Sequence, residues 1–224
     1  MTTIYLMRHS ESLKTNNINN NDSLQVQNEK NILTINGENL AKEKSKEKEL
    51  QDIDIVISSN YVRAVATAKY FSNEINIDES FGERKYGIKD KNELPENFEY
   101  KQWTDLNYKI GDGESIKEVI ERETKALNRI LNEYENKKIL IIGHSTAIAA
   151  LLSNWCELSF DKGYKFEENI FFDGKWDYCE TFKLVFDQNK DLIDIKNIWY
   201  NITSRRKLWN LRECEIVLTK NLLI

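Results

Sequence analysis

The chain has 224 residues, 40% of them apolar and 31% charged, with a net charge of −5. That length suits one α/β domain with a full core, and the composition describes a water-soluble globular protein with a heavily charged surface. The acidic balance argues against a general nucleic-acid or anionic-membrane binder, although a local cluster of Arg can still receive an anionic substrate.

Three cysteines, Cys156, Cys179 and Cys214, and only two histidines offer neither metal-ligand spacing nor a disulfide framework. No basic segment followed by a long apolar one opens the chain. The longest apolar run, 139–152, is interrupted by Gly143-His144-Ser145-Thr146 and is too short and polar to span a bilayer. A reduced, cytoplasmic setting is expected.

In chain order, Thr3 to Met7 is a short apolar run, as in a buried strand, that breaks abruptly into Arg8-His9-Ser10. Residues 14–30 are Asn-rich and polar and read as a loop. Thr34 caps a helix that runs to about Leu50, mostly Lys and Glu and hence solvated. Residues 52–59 form a second strand. A helix over 60–71 follows, with Val62, Ala66, Ala68, Tyr70 and Phe71 as its apolar face. A short strand at 75–78 ends near Glu83.

Residues 85–113 lack periodicity and hold the only proline, Pro95, with Tyr86, Phe98, Tyr100, Trp103 and Tyr108. A stretch this long without regular structure suggests a functional lid or insertion. Ser115-Ile116-Lys117-Glu118 is a capping box, opening a helix to about Glu135 that buries Ile116, Val119, Ile120, Leu127, Ile130, Leu131 and Tyr134. A strand from Lys138 then runs into Gly143-His144-Ser145, and an apolar helix covers 147–155, with Cys156 as a core residue. Residues 181–186 and 192–199 read as a hairpin, and the tail from about 201 carries no motif. Apolar strands alternating with amphipathic helices imply one domain over 1–224. Its expected fold is a three-layer α/β/α sandwich around a mostly parallel central sheet.

Both histidines sit at strand ends. In an open parallel sheet, ligands bind beyond the carboxyl ends of the strands. Arg8-His9, Arg63, Glu83 and His144 all follow short strands and can converge on that edge. Arg supplies a fixed fork of donors for phosphoryl oxygens, a neutral imidazole can attack phosphorus, and a carboxyl group can protonate the leaving oxygen. Two Arg and a second His supply the charge that a metal would otherwise bring.

With these residues in place, the chain resembles the histidine phosphatase superfamily, the phosphoglycerate-mutase-like proteins. Their Arg-His-Gly stands here as Arg8-His9-Ser10, and their Leu-Thr-x-x-Gly as Leu33-Thr34-Ile35-Asn36-Gly37. The Ser-Ser-x-x-x-Arg-Ala-x-x-Thr-Ala stretch is Ser58 to Ala68, and the acid motif is Glu83 to Gly87. Gly113-Glu114-Ser115 opens the long helix, and the last strand runs into Gly143-His144-Ser145. Six motifs in order, from Ile4 to about Leu152, make a specific match.

The resemblance implies that His9 becomes phosphorylated, that Arg8 and Arg63 bind the phosphoryl oxygens, that a cationic His144 is a further donor, and that Glu83 is general acid and base. It also implies an Asn some residues after the first motif, a place where Thr15, Asn16 and Asn17 stand. Ser10 and Ser145 replace the usual Gly after each His, so Ser10 can donate to the phosphoryl group or narrow its pocket. Among carboxylates, Glu11, Glu79 and Glu114 rival Glu83.

The expected activity is phosphomonoester hydrolysis on a small phosphorylated metabolite, without cofactor or metal. Phosphoglycerate mutase chemistry is the first alternative, and an idle phospho-ligand or protein-binding module the second. Glu83 and His144 are 61 positions apart, without the longer insertion of the mutases that the family contains; idle relatives usually lack the first His or an Arg, and all four basic residues are present here.

Overall fold

A computed structural model describes residues 1–13, 22–159 and 163–199. Thr15, Asn16, Asn17, Cys214 and the tail from 201 lie outside the described residues.

The principal sheet has six strands in the order β3-β2-β4-β1-β8-β9. These are β1 (Thr2–Arg8), β2 (Ile55–Ser58), β3 (Asn76–Ile77), β4 (Lys138–Gly143), β8 (Thr181–Phe186) and β9 (Leu192–Asn197). The first four are parallel, and the β8–β9 hairpin is added antiparallel to β1. Period-2 alternation divides the strands between two cores. Ile4, Leu6, Ile139, Ile141, Phe182 and Leu184 face one side, where they meet α5 (Ile116–Glu133) and α6 (Ser145–Leu152). Tyr5, Met7, Leu140 and Ile142 face the other, against Ala64 and Ala68 of α3 (Val62–Ala68), with Leu40 of α2 (Ile35–Lys44) at the margin. Helices on both faces of a mostly parallel sheet give the expected three layers.

Several elements differ from the sequence reading. The Asn-rich stretch includes α1 (Leu24–Lys30), capped by Ser23. The helix from Thr34 stops at Lys44, and a 3-10 turn, Lys48–Leu50, follows. Lys-Glu propensity would prolong the helix, but the turn tucks Leu50 into the core. Within 85–113 lies α4 (Phe98–Thr104), whose Phe98 and Gln102 are buried. A second, antiparallel sheet of β5 (Glu157–Ser159), β6 (Gly163–Phe166) and β7 (Asn169–Phe172) covers the α5–α6 side. Cys156 lies just beyond α6 in that core, and burial pushes its thiol up to about 12. α3 is also rotated: Val62 is exposed, while Arg63, Ala64, Thr67 and Ala68 turn inward.

The capping box at Ser115 is present in both directions. The inward face of α5 includes a carboxyl group, Glu123, only 1% exposed. Its Oε1 is 3.7 Å from Arg122 Nη1, and its Oε2 is buried without a partner. Burial pushes this carboxyl up to about 8; Arg122 opposes the shift, and Glu83, Glu114 and Asp78 add to it. A carboxyl raised above its unfolded value of about 4.3 supports the fold fully below that pH, and this contribution is lost as the pH climbs through the folded value. Glu123→Gln should therefore match the parent protein in stability near that lower pH and exceed it increasingly up to the upper one. Urea unfolding across this range checks the point; a difference that does not vary with pH would mean that Glu123 is ionised in the fold throughout.

Candidate active site

Parallel pairing of β1 with β4 sets Arg8 opposite Gly143, so the residues that follow, His9 and His144, leave adjacent strand ends side by side. Their ring centroids are 5.1 Å apart, and both side chains are buried, at 6% and 0% exposure. Pairing of β2 with β4 adds Ser59 on the next strand end.

Arg63 reaches this edge because α3 turns it inward. Its Nε donates to His9 Nε2 at 2.9 Å, and its Nη2 lies 3.0 Å from His144 Nδ1. A guanidinium has donors only, so both of these ring nitrogens accept. The other nitrogens therefore carry the protons. His9 Nδ1–H donates to the Ser10 carbonyl at 2.7 Å, and His144 Nε2–H donates to Ser59 Oγ at 2.8 Å. Burial holds both imidazoles well below the ordinary histidine range, with Arg63 pushing the same way. His144 is thus neutral in this arrangement, where the resemblance implied a cation: desolvation and the neighbouring Arg63, His9, Arg122 and Arg8 all disfavour a second proton.

Arg8 donates through Nη1 to the Trp176 carbonyl at 2.9 Å, and its Cζ lies 4.8 Å from the centre of the Tyr178 ring. Its Nε is buried without a protein partner. Arg63 Nη1 donates to the carbonyl of Asn28, which places α1 over the site.

Glu83 lies beyond β3 and is partly buried. Its Oε1 accepts from the backbone N–H of Arg84 at 2.9 Å and of Ala147, in the first turn of α6, at 3.1 Å. Its charge acts on both Arg8 and Arg63. The rivals are otherwise engaged or outside the cluster. Glu114 is paired with Arg122 at 2.7 Å, Glu11 accepts from Thr34 Oγ1 at 2.8 Å, and Glu79 is exposed. Arg122 also donates to the carbonyls of Ser80 (2.7 Å) and Gly82 (3.0 Å), clamping the segment that leads into Glu83.

Ser10 does not point into the cluster. Its hydroxyl donates to the Gly37 carbonyl at 2.7 Å, and its backbone N–H donates to Thr67 Oγ1 at 3.0 Å. Gly37 allows this approach, since a Cβ there would stand 2.0 Å from the Glu11 carbonyl oxygen. Ser145 opens α6 and is partly buried. Ser59, Tyr61, Trp176, Tyr178, Asn28 and Arg122 were not singled out by the sequence reading. Only Ser59 carried a signal, as the second Ser of its motif.

Two neutral imidazoles, each with a lone pair directed at a shared guanidinium, two Arg and a carboxyl group can bind a phosphoryl group, attack it and move a proton. Among the described residues, no three His, Cys, Asp or Glu side chains are grouped to hold a metal ion, and no helix is long and apolar enough to cross a membrane.

Residues 4–190 match the family model described as histidine phosphatase superfamily (branch 1). The chain is 30% identical over 158 residues to PhoE of Bacillus subtilis (strain 168), described as an uncharacterized phosphatase; the match covers 68% of this chain and 77% of PhoE. Among solved structures, Bacillus stearothermophilus YhfR is similar with a TM-score of 0.63 at 22% identity, over 86% of this chain and 95% of that one. A phosphoserine phosphatase variant from Entamoeba histolytica gives 0.61 at 19%, over 88% and 97%. A mycobacterial glucosyl-3-phosphoglycerate phosphatase gives 0.63 at 14%, over 89% and 98%. At these identities the solved structures establish the shared fold, and the family match, which spans most of the chain, establishes that the protein belongs to branch 1 of the histidine phosphatase superfamily.

Proposed function

We propose that this chain hydrolyses small phosphate monoesters through a phosphohistidine on His9. The observation that carries the reading is the state of that imidazole: Nδ1–H is committed to the Ser10 carbonyl, leaving the Nε2 lone pair facing Arg63. A nitrogen already unprotonated is a competent nucleophile at neutral pH.

Arg63 exchanges its neutral acceptors, His9 Nε2, His144 Nδ1 and the Asn28 carbonyl, for phosphoryl oxygens, which as anions accept more strongly. Arg8 brings a buried Nε that a phosphoryl oxygen would satisfy. The phosphoryl dianion between the two histidines also reverses the electrostatic balance at His144 and favours a second proton there, making it a cationic donor. His9 Nε2 attacks phosphorus, the P–O ester bond breaks, and Glu83, entering this step as the carboxylic acid, gives its proton to the departing oxygen and is left as the carboxylate. Water then attacks the phosphohistidine and gives its proton to Glu83. The P–N bond breaks, inorganic phosphate leaves, and His9 regains its lone pair. The charge in this sequence is met by side chains, so no divalent ion is required.

The relatives named phosphoserine phosphatase and glucosyl-3-phosphoglycerate phosphatase make small phosphorylated metabolites the substrate class to test first. The segment 85–113 is the substrate-facing wall in this reading. Supporting it, Tyr86 and Glu99 feel the charge of Glu83, and Arg84 Cζ stands 4.7 and 4.4 Å from the ring centres of Tyr86 and Phe98. A chain of this composition working on such metabolites belongs in the cytoplasm.

A panel of phosphate esters, assayed with and without chelator, should show hydrolysis that survives chelation. His9→Ala should lose most turnover and all acid-labile phosphoenzyme; full activity in that variant would end the phosphohistidine mechanism. Glu83→Gln should lose about 10²–10⁴-fold on an alkyl phosphate, whose leaving group needs a proton, and far less on p-nitrophenyl phosphate. Equal losses on both would move the acid role to another carboxyl group.

A further inference from the structure

Arg122 is not the sole anchor of the segment carrying Glu83. Tyr61 precedes α3 and starts it, its carbonyl accepting from Ala64 N at 2.9 Å and Val65 N at 3.0 Å. The residue is 2% exposed. Its ring centroid lies 4.4 Å from that of His144, and Arg63 Cζ stands 4.8 Å from its centre. Its hydroxyl lies 3.3 Å from the Glu83 carbonyl oxygen and accepts from Gln25 Nε2 at 2.8 Å. Burial keeps the phenol proton well above its ordinary range, so the hydroxyl remains a donor toward Glu83. Gly82 packs close against the same ring: a Cβ there would stand 3.1 Å from Tyr61 Cε2.

One side chain therefore touches a histidine, an arginine, the peptide of the acid and, through Gln25, the helix α1 whose Asn28 carbonyl receives Arg63. The two halves of Tyr61 do different things. The ring fixes the planes of His144 and Arg63, on which phosphoryl binding depends for every substrate. The hydroxyl receives Gln25 from α1 and, among the groups of the reaction, touches the peptide of Glu83, and so sets the aim of its carboxyl group.

We propose that Tyr61 is a positioning residue for proton transfer, its hydroxyl holding the Glu83 peptide and its ring holding His144 and Arg63. The inference rests on Glu83 being the proton donor. Tyr61→Phe keeps the ring and removes the hydroxyl. A neutral hydrogen bond contributes a factor of about 3–10, so kcat on an alkyl phosphate should fall by that much. Turnover of p-nitrophenyl phosphate should stay within about twofold. In a Glu83→Gln background the same substitution should have no further effect on the alkyl ester, since coupled residues are not additive. Tyr61→Leu should instead lower activity on both esters, because the stack on His144 and Arg63 goes with the ring.

If Glu83→Gln separates the two esters and Tyr61→Phe does not, or if Tyr61→Phe lowers both equally, this inference is overturned alone. If Glu83→Gln does not separate them, the proton-donor role fails and this inference with it.

Discussion

The site depends on one shared donor. Arg63 stands between two imidazoles and can only donate, so each histidine must offer it a lone pair. That requirement fixes opposite tautomers at the two rings, Nδ1–H at His9 and Nε2–H at His144, and each remaining proton has its own acceptor, the Ser10 carbonyl and Ser59 Oγ. Burial alone would make the rings neutral; Arg63 decides which nitrogen is bare. A nucleophile prepared in this way needs no proton removed before it attacks, which leaves the carboxyl chemistry to the leaving group and the water.

Much of the surrounding structure keeps that donor and those rings in place. Thr67, one turn after Arg63 on α3, takes the Ser10 N–H and so ties the nucleophile's neighbour to the arginine's helix. Thr34 accepts from Gly37 N at 2.9 Å as the α2 cap and donates to Glu11, while Gly37 presents its carbonyl to Ser10 Oγ. The Leu-Thr-x-x-Gly motif is thus a bracket for the chain just after His9, and its glycine is explained by the 2.0 Å approach of the Glu11 carbonyl. On the opposite side, Arg122 holds the Ser80 and Gly82 carbonyls and the Glu114 carboxylate, joining the acid segment to the start of α5. The Ser115 capping box then fixes the helix that carries Arg122.

The strands, their parallel order and the residues at their ends were legible because buried strands write themselves as apolar runs, and a charge directly after such a run marks the edge. The same rule led to Arg8, His9 and His144, while Glu83, six residues beyond β3, rested on its place in the acid motif. What escaped had weaker signals. Tyr61 and Trp176 look like ordinary aromatics until their partners are known. Glu123 sits on the apolar spacing of α5, between Val119 and Leu127, and a carboxyl group on that stripe was a readable anomaly. The face of α3 was misjudged because hydropathy puts Val62 inward, whereas the chain turns Arg63 and Thr67 inward to serve the site. Ser10 was read as able to donate to the phosphoryl group or narrow its pocket because it follows the nucleophile; the Gly37 carbonyl claims its hydroxyl instead. The strands β5 to β7 are only three or four residues long and antiparallel, too short to show a clear period.

The chain's two histidines make the central claim open to direct inspection, since the imidazole region of a nitrogen-15 spectrum contains two ring systems. Long-range proton–nitrogen correlation of the ligand-free protein reports which nitrogen of each ring carries the proton. The account predicts His9 as the Nδ1–H tautomer and His144 as the Nε2–H tautomer, both still neutral well below the ordinary histidine pKa of about 6.5. A His9 protonated on Nε2, or one that titrates near that ordinary value, would contradict it.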